Sequence, residues 1–307
     1  MRIAATELDP RLPSQIARGL RDRGQGDVVS AEVGPTQQPD SRRQKGVLVA
    51  LRELIGNREL LYMITWREIS IRYKQSVMGL LWAVLMPIII TAAGVLVRVV
   101  ASKVSGQPIT AADVSGIGVK ALPWAFFVSA LRFGTTSLTA NSTLVTKIRF
   151  PRLVFPLSSV LTSFFDMLVA IPVLVILLPL AGVGLTITML WVPVLLLILV
   201  VFTAGLCILF SAANLFFRDI KYLVEVVLTF AIFFTPVLYD VGLAGKWRWV
   251  LMLNPMAPVL DGLESSVVHG QPPDLAWLAY SAVVSSLLFW GGVIFFRRLE
   301  PRFAESV

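Results

Sequence analysis

WREISIRYKQSVMGLLWAVLMPIII, residues 66–90, changes character halfway along. Its first half carries Arg67, Glu68, Arg72 and Lys74 among aromatic and branched side chains, and its second half carries no charge. Placed on a helix, residues 59–74 set Tyr62, Trp66, Ile69 and Tyr73 on one stripe and Leu60, Ile64 and Ile71 on a second. Arg67 and Lys74 flank one edge, and Arg72 with Glu68 another. Aromatic rings and long cations of this kind suit the headgroup zone of a bilayer. The spacing predicts an amphipathic helix over 58–75 lying in the membrane interface, bent at Gly79 into a membrane-crossing helix. The plainer alternative is a simple extension of that crossing helix.

The whole chain repeats this contrast. Of its 307 residues, 56% are hydrophobic and 15% charged. A soluble fold needs more charge to cover its outside, so the bilayer is part of the solvent. The net charge of +8 suits anionic lipid or nucleic acid, and the placement of the cations favours lipid headgroups over nucleic acid. The single cysteine, Cys207, lies in an apolar run and reads as an inert core residue. One histidine, His269, and no cysteine cluster leave no metal site to expect. Residues 1–45 lack an apolar core segment, so no signal peptide is expected there. Their Arg, Gly, Gln, Pro and Asp content reads as a flexible tail, and the division expected is a tail at 1–50 and one membrane domain at 51–307.

A crossing helix needs about 20 apolar residues. Six stretches are expected to cross, at about 77–101, 121–143, 155–180, 187–216, 222–239 and 276–296. The fold class expected is therefore an all-α integral membrane protein. One set of flanks carries Arg58, Arg67, Arg72, Lys74, Lys147, Arg149, Arg152, Arg218, Lys221, Arg297, Arg298 and Arg302. The other carries only Lys103, Lys120, Lys246 and Arg248. Excess Lys and Arg mark the cytoplasmic side, which puts both termini in the cytoplasm.

The opening stretch resembles the start of polysaccharide-export permeases of the type-2 ATP-binding-cassette exporter class. Arg67, Ile69, Arg72, Tyr73, Lys74, Gly79, Trp82 and Pro87 follow that family's basic pattern, and Glu68 and Ser70 depart from it mildly. The resemblance continues through NSTLVTKIRFPRLVFPLSSV (141–160), NLFFRDIKYLVEVVLTFAIFFTPVLY (214–239) and LNPMAPVLDGL (253–263), and covers about residues 55–300. It implies a homodimeric permease in a bacterial plasma membrane, working with two copies of an ATPase subunit. It further implies a lipid-linked polysaccharide as cargo, of the O-antigen, galactan or teichoic acid type, and re-entrant helices before the last span that help form an outer gate.

The chain holds no G-x-x-x-x-G-K-[ST] cradle for phosphates. Its one Gly-Lys pair, Gly245-Lys246, is followed by Trp247, with Asp240 where the first glycine belongs. No cofactor is expected in this chain; ATP and Mg would be bound by the partner. Two cytoplasmic loops can receive that partner. In Lys147-Ile148-Arg149-Phe150-Pro151-Arg152 cations alternate with apolar residues, and the resemblance makes it a coupling segment; the plainer reading is an orientation signal. The second loop holds Arg218, Asp219 and Lys221.

Arg132 and Asp166 should both sit near the midplane of adjacent spans, where a lone charge costs about 3 kcal/mol. They are expected to pair or share a polar cluster, or else Arg132 lines a conduit and meets a diphosphate or sugar hydroxyls. Thr135, Thr136, Ser137, Thr139, Asn141, Ser142 and Thr143 support a cavity, their hydroxyls either bonding their own helix or facing that passage, and Arg98 is expected to snorkel outward. Trp82, Trp124, Phe233, Phe234 and Tyr239 are candidates for a sugar path, since rings stack on the C–H faces of sugars. No catalytic residue is expected. A membrane-embedded transferase would need clustered carboxylates or histidines, and Asp166, Glu225 and Asp219 stand apart. The runner-up is an export permease for a small lipid or drug.

Overall fold

A computed structural model describes residues 47–74, 81–106, 108–147 and 151–303. Among them there is no β-strand. The helices are α1 (Val47–Gly56), α2 (Arg58–Lys74), α3 (Leu81–Ser105), α4 (Ala111–Ala140), α5 (Ser142–Lys147), α6 (Val154–Leu180), α7 (Val192–Phe216), α8 (Ile220–Phe234), α9 (Arg248–Met252), α10 (Met256–Val267) and α11 (Leu275–Leu299). A 3₁₀ turn, Ile187–Trp191, leads into α7.

Five helical stretches among the described residues are long and apolar enough to cross a membrane: Leu81–Val104, Ala111–Ala140, Val154–Leu180, Ile187–Phe216 and Leu275–Leu299. The sixth expected stretch, 222–239, divides. Its helix, α8, has 15 residues, about 22 Å of rise against a hydrocarbon core of about 30 Å. Thr235 then turns extended, with φ −114° and ψ 132°. Pro236 follows, and the ring of a proline drives the preceding residue out of the α region.

Two other boundaries shift. α4 begins at Ala111, ten residues before the expected 121, because Lys120 lies inside the helix instead of flanking it. A capping box starts it: the Thr110 hydroxyl accepts from the Asp113 N–H at 3.2 Å, and the Thr110 N–H donates to the Asp113 carboxylate at 2.8 Å. Residues 47–50, expected in the tail, are helical and open α1. The rest of the expected tail, 1–46, Gly79 and Gln75 lie outside the described residues.

α4 is the central element. It packs on α6 and α7, and α7 packs on α11. At the α7–α11 crossing the backbones touch: a Cβ on Gly205 would stand 2.8 Å from the Phe289 nitrogen, and one on Gly292 2.9 Å from the Gly205 carbonyl oxygen. Small residues permit such approach where no hydrophobic effect drives helices together. One apolar cluster joins α4, α6, α7 and α10 through Trp124, Phe126, Phe127, Met167, Leu199 and Leu260. A second gathers Ile64, Leu138, Phe155, Ile208, Phe296 and Phe303 around the ends of α2, α6 and α11. Cys207 is free and buried, as its apolar run suggests. α3, by contrast, presents Ile88, Ile89, Leu96, Val97, Val100 and Val104 outward, the surface expected where lipid or another apolar body takes the place of water.

Candidate functional site

α2 meets α6 through a polar seam. Ser158, Thr162 and Asp166 recur every four residues on α6 and so share one face. Glu68 accepts hydrogen bonds from the Ser158 hydroxyl at 2.9 Å and the Thr162 hydroxyl at 3.3 Å. Asp166 accepts from the Arg72 guanidinium and from the Tyr73 hydroxyl. The Arg72 guanidinium also lies 4.2 Å from the centroid of the Phe133 ring, a cation–π contact. Arg67 donates to the Asn141 side chain at 2.8 Å.

The face of α2 turned to the protein thus carries Ile64, Glu68 and Arg72, while Tyr62, Met63, Trp66 and Ile71 are exposed. This corrects the two expected apolar stripes: apolar residues are spread around α2 and charges lie on both faces, with Glu68 and Arg72 turned inward beside Ile64 and with Arg58, Glu59, Arg67 and Lys74 exposed. Tyr62 and Trp66 do stack on each other, at 6.4 Å between centroids. Burial raises the Glu68 carboxyl above the usual carboxylate range, against the lowering effect of Ser158, Thr162, Arg72 and Arg67. Burial and then the neighbouring Asp166 push the Tyr73 hydroxyl up as well.

Beside the seam lies a cavity of about 420 Å³ lined by Arg72, Trp82, Trp124, Arg132, Phe133 and Asp166 among others. Residues expected on a substrate path from three separate segments come together here. Arg132 and Asp166 both line this cavity, but they do not pair with each other. Asp166 is held by Arg72 and Tyr73, and Arg132 is exposed with no ion pair among the described residues. Asp166 lies on the α6 face that α2 covers, so Arg72 reaches it first. Of the neighbouring hydroxyls, Ser137 donates to the Gly134 carbonyl at 2.7 Å and Thr139 to that of Thr136 at 2.9 Å, while the buried Thr135 hydroxyl has no hydrogen-bond partner among the described residues. Phe233 and Phe234 do not line the cavity; both are exposed at the end of α8. The Tyr239 hydroxyl donates to the Phe233 carbonyl at 3.0 Å.

The expected coupling loop is described in part. Lys147 closes α5, and Ile148, Arg149 and Phe150 lie outside the described residues. Pro151 and Arg152 follow. Arg152 is engaged within the protein, donating to the Glu300 carbonyl at 2.8 Å with its guanidinium 5.6 Å from the Phe303 ring centroid. In the second loop Arg218 and Asp219 are exposed, and Lys221 lies over the Tyr222 ring at 4.7 Å.

A second charged pair escaped sequence reasoning. Lys120 of α4 donates to Glu264 of α10 at 2.6 Å and to the Tyr239 carbonyl at 2.9 Å, with only 1% of its side chain exposed. Gly116 makes room, since a Cβ there would stand 2.1 Å from the Glu264 carboxylate. Arg98, expected to snorkel, instead pairs with Asp113 at 3.0 Å. For the seam a signal was available in the four-residue recurrence of Ser158, Thr162 and Asp166.

The chain matches the family model described as ABC-2 type transporter over residues 59–268, from α2 through α10. Three relatives carry the name O-antigen export system permease protein RfbA. Two from Klebsiella pneumoniae are 29% and 30% identical over 249 and 256 residues, each alignment covering 80% of this chain and 94% of the relative. One from Myxococcus xanthus is 30% identical over 260 residues, 84% of this chain and 98% of its own. With its apolar helices and a match running through both charged pairs, the chain is a multi-pass membrane protein that belongs to the ABC-2 type transporter family.

Proposed function

We propose that this chain is the permease subunit of an ATP-driven exporter that moves a polyprenyl-diphosphate-linked polysaccharide out of the cytoplasm across a bacterial plasma membrane. The observation that carries the reading is the collinear likeness to three O-antigen export permeases over at least 80% of the chain. The cavity supports it: the Arg132 guanidinium, with no ion pair among the described residues, stands among Trp82, Trp124 and Phe133. The cation recognises a diphosphate, and the rings offer stacking surfaces weak enough to let a glycan slide.

In this reading two copies of the chain work with two copies of an ATPase subunit, which binds ATP and Mg and docks on 147–152 and 218–221. Arg152 is then a positioning residue, fixed on the Glu300 carbonyl, that presents the loop. The cation-rich flanks face the cytoplasm. α2 lies in the inner interface with Tyr62 and Trp66 toward the headgroups. α8 with 235–239 makes the sixth crossing, and α9 and α10 dip back into the outer leaflet before α11.

Depletion of the protein tests the reading directly. The expected outcome is accumulation of a lipid-linked glycan on the cytoplasmic side, and its absence overturns the proposal. Arg132→Ala should lower export about tenfold with the ATPase still copurifying. Arg149→Glu should instead weaken copurification of the ATPase.

A further inference from the structure

The cavity at Arg132 continues into a second, apolar one. α3, α4 and α6 run alternately up and down, so residue numbers report level along the bundle. The cavity takes its lining from 82–90 of α3, 122–133 of α4 and 163–167 of α6. A groove of about 660 Å³ takes its lining from 84–95, 114–122 and 170–181 of the same helices. The two share Pro87 and Leu122. The groove is therefore the continuation of the cavity, displaced along all three helices toward the end away from α2.

Their chemistry differs. The cavity holds Arg72, Arg132 and Asp166; the groove holds no charged residue. Of its two hydroxyls, Thr91 donates to the Pro87 carbonyl at 2.7 Å. Its stretch on α6, 170–181, is about 16 Å long. One ligand chemistry matches a guanidinium-bearing chamber opening lengthwise into a long, dry trough: an anionic head on a single long hydrocarbon chain.

Resting on the polysaccharide-export reading above, we infer that the groove seats the first isoprene units of the polyprenyl diphosphate while its head lies against Arg132. Arg72 is partly neutralised by Asp166, so Arg132 is the primary anchor and Arg72 the secondary one. The junction at Pro87 and Leu122 is where the diphosphate gives way to hydrocarbon. Held this way, the lipid has its head presented to the aromatic cavity while its remaining tail stays in the bilayer.

The groove can be filled without touching the anchor. A Cβ on Gly118 meets Leu174 at 3.7 Å and Thr91 at 3.8 Å, ordinary contact distances, so Gly118→Leu projects into free space. Ala92→Phe does the same from the exposed α3 and serves if Gly118→Leu unfolds early in a thermal scan. The full-length protein in detergent is titrated with undecaprenyl diphosphate, inorganic diphosphate and phosphatidylglycerol. Each groove variant is expected to lose about tenfold in affinity for undecaprenyl diphosphate and to bind inorganic diphosphate like wild type; Arg132→Ala is expected to weaken both. Unchanged undecaprenyl diphosphate affinity in both groove variants overturns the inference and leaves the export reading standing. So does equal competition by phosphatidylglycerol, which makes the groove an ordinary lipid contact. So does a loss of dimer with lipid affinity intact, which makes it a seat for a second copy. Failure of wild type to bind either diphosphate overturns both the inference and the lipid-diphosphate reading beneath it.

Discussion

Two ion pairs at opposite ends of α4's packing surface show how differently charge is used in this protein. Lys120–Glu264 is sealed, with side-chain exposures of 1% and 9%. Arg72–Asp166 borders the cavity, with exposures of 25% and 18%. The first ties α4 to α10 and, through the Tyr239 carbonyl, to the end of the α8 segment. No ligand can reach it, so it is a strut. The second is one member of a set with Tyr73 and Phe133 around a chamber that also holds Arg132, which has no ion pair among the described residues. A pair left accessible beside a free cation can exchange partners when an anion arrives. The sealed pair should therefore govern stability and the open pair should govern binding.

Breaking the sealed pair from one side should give the largest effect. Lys120→Met leaves Glu264 buried without a counter-charge and should destabilise the protein by about 3–5 kcal/mol, read as a fall in the unfolding midpoint in detergent. Lys120→Met with Glu264→Met removes both charges and should recover most of that loss, because replacing a buried pair by apolar groups is often neutral. If the double variant is as unstable as the single one, the strut does more than balance charge.

The open pair should respond in the opposite sense. Asp166→Asn keeps an acceptor for Tyr73 and cancels the charge facing Arg72. Since both side chains are partly exposed, the stability loss should be only about 1–2 kcal/mol. Affinity for inorganic diphosphate should rise, because Arg72 joins Arg132 as an uncompensated cation, and isothermal titration would show it. A fall in anion affinity would mean that Asp166 orients Arg72 toward the ligand instead of competing with it.

The same contrast explains what was legible beforehand. Membrane insertion followed from composition. The cavity's members Trp82, Trp124, Arg132 and Asp166 were singled out because aromatic or charged residues at membrane depth are costly or purposeful. Partner choice was not legible. Arg72 and Asp166 are 94 residues apart and Lys120 and Glu264 are 144 apart; the recurrence of Ser158, Thr162 and Asp166 marks a polar face on α6, but no local pattern encodes which helix covers it. Lys120 misled for a related reason. A lysine in an apolar run reads as the end of a span, and only the distant Glu264 makes it an interior residue. Thr235-Pro236, in contrast, marked the end of α8 locally, and reading 222–239 as one continuous helix passed over it.

The smallest expected effect separates the seam's two carboxylates from each other. Burial raises the Glu68 carboxyl above its ordinary value of 4.5, and the hydroxyls of Ser158 and Thr162 and the cations Arg72 and Arg67 offset that only in part. A carboxyl whose folded value is raised holds its proton more tightly in the native state than in the unfolded one. Native protein then binds more protons than unfolded protein at pH values between 4.5 and the raised value, so stability falls as pH rises through that window and levels off above it. Glu68→Gln keeps an acceptor for Ser158 and Thr162 and has no proton to lose. The wild-type protein should show a declining unfolding midpoint across that window, and Glu68→Gln should show a flatter one, with anion affinity unchanged because Glu68 does not line the cavity. An equal pH slope in both would assign the titration to another group. A changed anion affinity would extend the binding chamber down the seam, and the division between a structural pair and a binding pair would then have to be drawn within α2 itself.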